Sequence, residues 1–251
     1  MSKKVFIGVG HGGNDPGAVK YLVEKDVNLK MAKACRDHLK AAGVEVKMSR
    51  TKDENDPVSE EVRECNEFDP DVAVDIHNNS GGGNGFEAFY SVNGGVGKTL
   101  AKNIESEVKK IGQNSRGIKT KKNGNGSDYF CFIRSTKCPA VICEGVFVDN
   151  KADAKQADTD AECKEFGIAY AKGILKTLDV KEEKETPKKG HGYLVKVTVS
   201  ALNIRKGPGT NYSIAGVIRD KGTYTITEEK GGWGKLKSGA GWIALKHTKK
   251  V

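Results

Sequence analysis

Residues 5–18 read VFIGVGHGGNDPGA, a short apolar run followed by a glycine-rich loop that carries one histidine. The run at 5–9 has the length and the β-branched content of a buried strand. Glycines at positions 8, 10 and 13 have the spacing of a dinucleotide-binding fingerprint, but that motif needs a helix directly after the glycine turn. The loop formers at 14–17 delay any helix. The stretch therefore predicts a strand that ends in a loop with His11, and not a nucleotide site.

Strand-like and helix-like segments alternate after this loop as far as residue 178. In the first helical segment Val27, Met31, Cys35 and Leu39 lie four residues apart on one face, and Gly43 follows as a C-terminal cap. The alternation predicts an α/β domain with helices flanking a mostly parallel sheet. The predicted strands are 4–9, 44–49, 71–76, 85–90 and 139–143, and the predicted helices are 24–42, 97–111 and 161–177.

A composition change after residue 178 predicts a domain boundary. Residues 179–192, DVKEEKETPKKGHG, are charged and contain a single large apolar residue, so they predict a linker. Residues 193–251 contain short β-rich runs separated by glycine-containing turns and no helical periodicity, which predicts a small all-β barrel. We therefore divide the chain into a domain at 1–178, a linker at 179–192 and a barrel at 193–251.

The charge of the chain is concentrated at one end. The 251 residues have a formal net charge of +9, and residues 188–251 contain 13 Lys and Arg against 3 Asp and Glu. This asymmetry predicts attraction to a polyanionic surface. No recognised nucleic-acid-binding signature is present, so we expect no nucleic-acid partner.

Other classes of protein are disfavoured by the hydropathy pattern. No run of about twenty apolar residues occurs, which argues against a membrane span. The first residues contain no cleavage site of a secretory signal, so we expect synthesis in the cytoplasm. Six cysteines without a CxxC pair predict reduced thiols. We also expect the protein to be a monomer.

Polar residues that could bind a metal follow three of the predicted strands. His11 follows the first strand, His77 follows VAVDI, Glu144 follows PAVIC, and Glu24 begins the first helix. Because functional groups collect at the carboxyl ends of strands in an open α/β sheet, we expect these side chains to lie together. Two histidines and a carboxylate with an open fourth position form a catalytic zinc pattern. From spacing alone, hydrogen-bonded histidines and an ordinary first-turn acid at position 24 remain an alternative.

Four segments resemble a known family. GHGGNDPGA, EKDVNL, DIHNNS and PAVICEGVFVDN, in this order, resemble the zinc-dependent N-acetylmuramoyl-L-alanine amidases of the Amidase_3 type, and the resemblance covers residues 3–178. It implies that His11, Glu24 and His77 bind zinc and that Glu144 is the catalytic acid and base.

The chain departs from the pattern of this family at two places. Asp75 stands where the family usually has a small residue, and Glu144 is followed by Gly-Val-Phe instead of the usual order Glu-x-Gly-Phe. We interpret Arg50, Arg63 and Asn66, which lie in other segments of the resemblance, as structural residues.

Residues 193–246 resemble a bacterial SH3-like domain. The segments ALNIRKGPGTNYSIAGVI, GWGKLK and GWIAL carry this resemblance, which implies binding to cell-wall peptidoglycan. Tyr212, Trp233 and Trp242 are candidate groove residues, although we expect at least one tryptophan to lie in the barrel core.

The two resemblances together imply a peptidoglycan hydrolase. It would use Zn²⁺-activated water to cleave the amide between N-acetylmuramic acid and L-alanine, with peptidoglycan and anionic wall polymers as partners. We expect a phage endolysin that acts on the wall after release from the cytoplasm, and a sporulation autolysin would have the same pattern. Two alternatives are a cysteine peptidase of wall peptides that uses Cys143 or Cys138, and a non-catalytic wall-binding protein.

Overall fold

The computed structural model describes residues 2–181 and 192–251. The chain divides into two compact units, Met1–Glu182 and Glu183–Val251. Most of the predicted linker at 179–192 lies outside the described residues, so the domain bounds remain a prediction.

The first unit alternates strands and helices. Its strands are β1 Lys4–Val9, β2 Glu45–Met48, β3 Val72–Asn79, β4 Phe86–Tyr90, β5 Ser115–Lys119 and β6 Ala140–Phe147. Its helices are α1 Glu24–Ala41, α2 Val58–Phe68, α3 Gly95–Lys110, α4 Cys131–Ser135, α5 Lys151–Ala154 and α6 Asp160–Thr177.

The six strands form one sheet in the order β2-β1-β3-β6-β4-β5. Strands β2, β1, β3 and β6 are mutually parallel, whereas β4 pairs antiparallel with β6 and parallel with β5. The carboxyl ends of the four parallel strands therefore meet at one edge. The prediction of an α/β domain with a mostly parallel sheet is confirmed.

Each face of the sheet has its own core. The larger core packs α1, α3 and α6 on one face, and it contains Met31, Leu39 and Cys143. A smaller core packs α2 and α4 on the other face, around Phe6 and Ile142. Because side chains alternate along a strand, the residues that share a face with Ile142 point away from the larger core.

Two predicted strand ends are wrong. Strands β3 and β6 were predicted to end at 76 and 143, but they continue to Asn79 and Phe147. His77 and Glu144 therefore lie within strands, and both remain close to the carboxyl edge. Polar residues can extend these strands because the sheet ladder pairs their backbones whatever the side chain.

Four elements were not predicted from the sequence. Helix α2 is rich in charged residues, strand β5 is a glycine-containing edge strand, and α4 and α5 are short. Each has too few apolar residues for a clear periodic signal, so tertiary packing decides its conformation.

The second unit contains a seven-stranded, antiparallel sheet in the order β13-β7-β10-β11-β12-β8-β9. Its core consists of side chains such as Val195, Leu202, Ile226 and Ile243. This confirms the predicted small all-β domain. The strands are β7 Tyr193–Val197, β8 Leu202–Arg205, β9 Ile214–Ile218, β10 Thr223–Lys230, β11 Trp233–Leu236, β12 Trp242–Ala244 and β13 Thr248–Lys250.

Among the described residues, no helix combines the length and the hydropathy that a bilayer crossing requires.

Candidate metal centre

The loop after β1 brings His11 to the carboxyl edge of the sheet in an unusual conformation. His11 has a φ of 63°, in the left-handed region that a non-glycine residue rarely adopts. The residue before it must be glycine, because a Cβ on Gly10 would lie 2.1 Å from the ring of His77. Gly17 has a φ of 65°, and a Cβ there would lie 2.6 Å from Glu24 Oε2. These glycines allow the two histidines and the glutamate to approach one another.

Glu24 is the first residue of α1 and points back into this loop. Its side chain is buried, with Oε2 accepting a hydrogen bond from the Ala18 N–H at 2.9 Å and Oε1 one from the Asn78 N–H at 3.1 Å. Burial opposes its charge, but hydrogen bonds from His11 and His77 outweigh burial and hold the pKa of Glu24 well below its ordinary value. Glu24 is therefore an ionised carboxylate between two histidines.

Three potential metal ligands meet at this point. Glu24 Oε1 lies 3.2 Å from His11 Nε2 and 3.1 Å from His77 Nδ1, and one donor atom from each residue lies within 4.8 Å of the others. Imidazole nitrogen and carboxylate oxygen are ligands that suit zinc, and three protein ligands leave a coordination position open. The donor set fits Zn²⁺, and the structure brings together the three residues that were predicted as ligands.

The second ring nitrogen of each histidine contacts an aspartate. His11 Nδ1 lies 2.8 Å from Asp15 Oδ2, and His77 Nε2 lies 3.2 Å from Asp75 Oδ2. Such outer contacts fix the tautomer and the orientation of metal-binding histidines. In the sequence, Asp75 stands out only as a departure from the family pattern. The available signal was its position two residues before His77, on the same face of β3.

Asp75 belongs to a group of buried carboxylates on the same face as the smaller core. Within the described residues its Oδ1 atom has no hydrogen-bond partner. Glu61 on α2 is 3% exposed and accepts a hydrogen bond from the Ser49 hydroxyl at 3.3 Å. Burial, and then repulsion by Asp75 and Asp56, raise the pKa of Glu61 well above its ordinary value of 4.5.

Replacing Glu61 by glutamine should make stability less dependent on pH. The unfolded chain releases the Glu61 proton near pH 4.5, whereas the folded chain retains it to higher pH, so this group lowers the free energy of unfolding as pH rises. Denaturant unfolding of metal-free protein measures the free energy of unfolding between about pH 5 and pH 8. This free energy should decline less steeply with pH in Glu61→Gln than in the unmodified chain. An unchanged dependence of the free energy of unfolding on pH would contradict the raised pKa of Glu61.

Glu144 lies beside His77 in the neighbouring strand. The two residues are register partners in the β3–β6 ladder, so their side chains share one face of the sheet. Glu144 is partly exposed, and burial raises its pKa to about 7, with the carboxylates of Glu24, Asp75 and Glu87 adding to the increase. A carboxyl group with a pKa near neutrality can both accept and donate a proton.

Arg50 supports the loop that holds His11. It is 2% exposed, and its guanidinium donates hydrogen bonds to the backbone carbonyls of Val9, Gly10 and Lys25. Asn66 also bonds to backbone, whereas Arg63 pairs with glutamates of its own helix. These contacts support the interpretation of all three as structural residues.

Residues 5–176 match the family model described as N-acetylmuramoyl-L-alanine amidase. This match covers more than half of the chain. The chain belongs to the N-acetylmuramoyl-L-alanine amidase family. Residues 200–249 match the bacterial SH3 domain family, which confirms the second resemblance.

Two relatives are similar to this chain over about three quarters of its length. The sporulation-specific N-acetylmuramoyl-L-alanine amidase of Bacillus subtilis is 32% identical over 207 residues, covering 80% of this chain and 76% of the relative. The endolysin of Bacillus phage SPP1 is 33% identical over 201 residues, covering 75% and 72%.

Solved structures have the same fold as the amidase domain. The catalytic domain of CwlV, an amidase from Bacillus (Paenibacillus) polymyxa, aligns with a TM-score of 0.64 at 30% identity, covering 71% of this chain and 99% of that domain. Cwp6 from Clostridium difficile aligns with a TM-score of 0.69 at 36% identity, covering 71% of this chain and 30% of Cwp6.

Neither Cys143 nor Cys138 is placed to act as the nucleophile of a peptidase with these histidines. Cys143 is buried in the larger core, on the opposite face of β6 from Glu144, and burial raises its pKa well above the ordinary value. Cys138 precedes β6, about 20 Å along the chain from Glu144 at the rise of an extended strand. The alternative of a cysteine peptidase is therefore disfavoured.

The three candidate wall-binding residues occupy different environments in the SH3-like unit. Trp242 is 8% exposed, Trp233 is half-buried, and Tyr212 is 43% exposed. Trp233 lines a groove of about 520 Å³ together with Arg205 and Lys246. Trp242 is thus buried, and wall binding by Tyr212, Trp233 and Trp242 stays a prediction.

Proposed function

We propose that the amidase domain is a zinc-dependent hydrolase of the amide between N-acetylmuramic acid and L-alanine in peptidoglycan. The supporting observation is the convergence of His11, Glu24 and His77 within 4.8 Å, with Glu144 in register beside His77. Amidase activity on peptidoglycan is the activity of the family.

The ligand residues have the hydrogen bonds that metal binding requires. If the Nε2–H of His77 donates to Asp75, its Nδ1 lone pair faces Glu24 and the ligand position. If the Nδ1–H of His11 donates to Asp15, its Nε2 lone pair faces the same point. His11, Glu24 and His77 would hold zinc, which when bound would supply a water with a pKa of about 7 and a polarised substrate carbonyl.

Glu144 is assigned the proton transfers. In the attack step its carboxylate accepts a proton from the water. In the collapse of the tetrahedral intermediate it donates that proton to the nitrogen of L-alanine, because an amine anion is a poor leaving group. In the metal-free site the pKa of Glu144 is about 7, and a carboxyl group of this kind can both accept and donate a proton.

The products released from purified walls test this function. Mass spectrometry after digestion should detect peptides with a new L-alanine amino terminus and glycan strands that keep an intact lactyl carboxylate. New reducing sugar ends, or cleavage within the peptides, would instead indicate a glycosidase or a peptidase and would overturn the proposal.

Replacing Asp75 by alanine should weaken zinc binding. The carboxylate is the only described partner of His77 Nε2, and loss of such an outer contact typically lowers metal affinity about 10- to 100-fold. Competition with a coloured chelator would measure the affinity, and Asp37→Asn on the exposed surface of α1 is the control. Equal zinc affinity in Asp75→Ala and the parent protein would contradict this role.

We also propose that the SH3-like unit binds the cell wall, in part through anionic wall polymers. The supporting observation is the excess of 13 Lys and Arg over 3 Asp and Glu in residues 188–251. Peptidoglycan with attached teichoic acids is polyanionic, so opposite charges attract at long range. The rest of the chain, with 29 basic and 30 acidic residues, has no such attraction.

Wall binding should therefore decrease with salt. Raising the ionic strength from about 0.15 M to about 1 M shortens the screening length from about 8 Å to about 3 Å. The full chain, inactivated by Glu144→Gln, is sedimented with intact walls. We expect the fraction of protein that is bound to the walls to fall several-fold. Walls stripped of teichoic acids provide the control, since their binding should change less. Salt-independent binding to intact walls would exclude the electrostatic part.

The cellular role that we propose is lysis. The chain has nearly the same identity to a phage endolysin and to a sporulation-specific amidase, and both names describe enzymes whose common substrate is the wall. Purified protein added to intact susceptible cells should therefore lower their turbidity. Activity on isolated walls without lysis of cells would restrict the role to wall remodelling.

A further inference from the structure

Two basic side chains, Arg116 and Lys119, contact the buried Glu87 carboxylate on the same face of the sheet as Glu144. Glu87 on β4 is the register partner of Glu144 on β6, so the two carboxylates share one face. Glu87 is 5% exposed, and its Oε1 accepts hydrogen bonds from Arg116 Nε and from Lys119 Nζ. Burial opposes ionisation, but Lys119 and Arg116 lower the pKa of Glu87 below its ordinary value.

Glu87 uses only part of the donor capacity of the two cations. It contacts Arg116 through Nε, and across residues 2–181 and 192–251 the Nη1 and Nη2 atoms donate to no protein group. The guanidinium carbon lies 5.3 Å from the centre of the Phe147 ring, which restricts its orientation. The Arg116 and Lys119 side chains are 44% and 36% exposed. Two cations and one carboxylate leave an ordered group with one excess positive charge.

The excess positive charge of Arg116 and Lys119 over Glu87 is suited to binding an anion. A guanidinium with both terminal nitrogens available can bind a carboxylate through two parallel hydrogen bonds, and a neighbouring ammonium adds a third. Glu87 holds the cations in place before any ligand arrives, so less side-chain entropy is lost on binding. The geometry therefore predicts a carboxylate as the ligand.

The position of the group indicates which part of the substrate it meets. In the proposed function Glu144 donates its proton to the leaving nitrogen, so the departing peptide begins next to Glu144. Strand β4 lies about 4.8 Å beyond β6, and an extended peptide advances about 3.5 Å per residue. In a peptide that runs from Glu144 toward β4, the second residue would lie above β4, where Arg116 and Lys119 contact Glu87.

We propose that Arg116 and Lys119 bind a free carboxylate on the second residue of the leaving peptide. This makes the pair a specificity determinant that favours walls in which this residue is an acid over walls in which it is amidated. The inference rests on the proposed amidase function, because it uses Glu144 to place the leaving nitrogen.

The test compares two forms of one substrate. Walls with free peptide carboxylates, stripped of teichoic acids, are used directly or after carbodiimide-mediated conversion of the carboxylates to amides with ammonia. The full chain should release L-alanine amino termini about 10-fold faster from the acidic walls, the order of effect expected for a charge-assisted contact. In Arg116→Gln/Lys119→Gln the two rates should differ by less than about threefold.

Two further variants make the result decisive. Removing both cations leaves the buried Glu87 carboxylate with only the Asn79 Nδ2 donor at 3.2 Å, so Glu87→Gln/Arg116→Gln/Lys119→Gln provides the same test with a neutral group. Lys98→Gln/Lys102→Gln removes the same charge from α3, which packs on the other face of the sheet, and should keep the full preference.

Equal rates of the unmodified chain on the two walls, with L-alanine termini released from both, would overturn this inference and leave the amidase function intact. Equal preference in the control and in the Arg116 and Lys119 variants would also overturn it. Release of no L-alanine termini from either wall would overturn the proposed function, and the inference with it.

Discussion

The variant Glu144→Gln should keep its zinc and lose most of its activity. Glutamine preserves the shape of the side chain but cannot accept a proton from water or donate one to the leaving nitrogen. A positioned general acid and base typically contributes a factor of roughly 10² to 10⁴ to the rate. We expect a fall of this size in the release of L-alanine amino termini, with unchanged zinc content by elemental analysis.

A matched control separates this effect from a general loss of charge. Glu165 is exposed on α6, on the face of the sheet opposite Glu144, so Glu165→Gln should retain full activity. Loss of zinc in Glu144→Gln would show that Glu144 is a metal ligand, and the proton transfers would then have to be assigned to another residue. Full activity without Glu144 would exclude it from proton transfer.

The variant His77→Ala should lose both zinc and activity. His77 contributes one of three donor atoms that lie within 4.8 Å of one another. Because the loss of an outer contact alone weakens a metal site about 10- to 100-fold, the loss of a ligand should exceed about 100-fold. The zinc content measured by elemental analysis should fall from about one zinc per chain to a small fraction, and the rate of wall hydrolysis should fall with it.

Added metal and a histidine control make the comparison specific. Excess zinc should restore little activity to His77→Ala, whereas the unmodified chain, stripped with a chelator, should recover fully. His247 lies in the SH3-like unit, so His247→Ala should keep its zinc. Full zinc retention in His77→Ala would contradict the ligand assignment.

The sequence was sufficient for the class of fold and for proposing three metal ligands whose donor atoms the structure brings together. Helix α1 could be predicted because Val27, Met31, Cys35 and Leu39 repeat at helical spacing, and all four are buried. The three ligands could be proposed because parallel strands bring their carboxyl ends to one edge, which makes residues distant in sequence neighbours. Motifs that resemble a family then supplied their roles.

The parts that could not be predicted depend on contacts between distant segments. Strand β5, SRGIK, has no alternating pattern, and it is ordered by pairing with β4 at the edge of the sheet. The group at Asp75, Asp56 and Glu61 comes from a strand, a loop and a helix, and repulsion among its members exists only when the chain is folded. Local sequence contains no signal for either.

The sequence by itself determined that there would be an α/β domain with His11, Glu24, His77 and Glu144 near one edge, because periodicity and strand order are properties of local segments and of chain topology. Only the tertiary structure decided that Asp75 contacts His77 and that Glu87 holds Arg116 and Lys119 beside Glu144. These pairings depend on register between strands, and a shift of one residue would turn each side chain to the other face of the sheet.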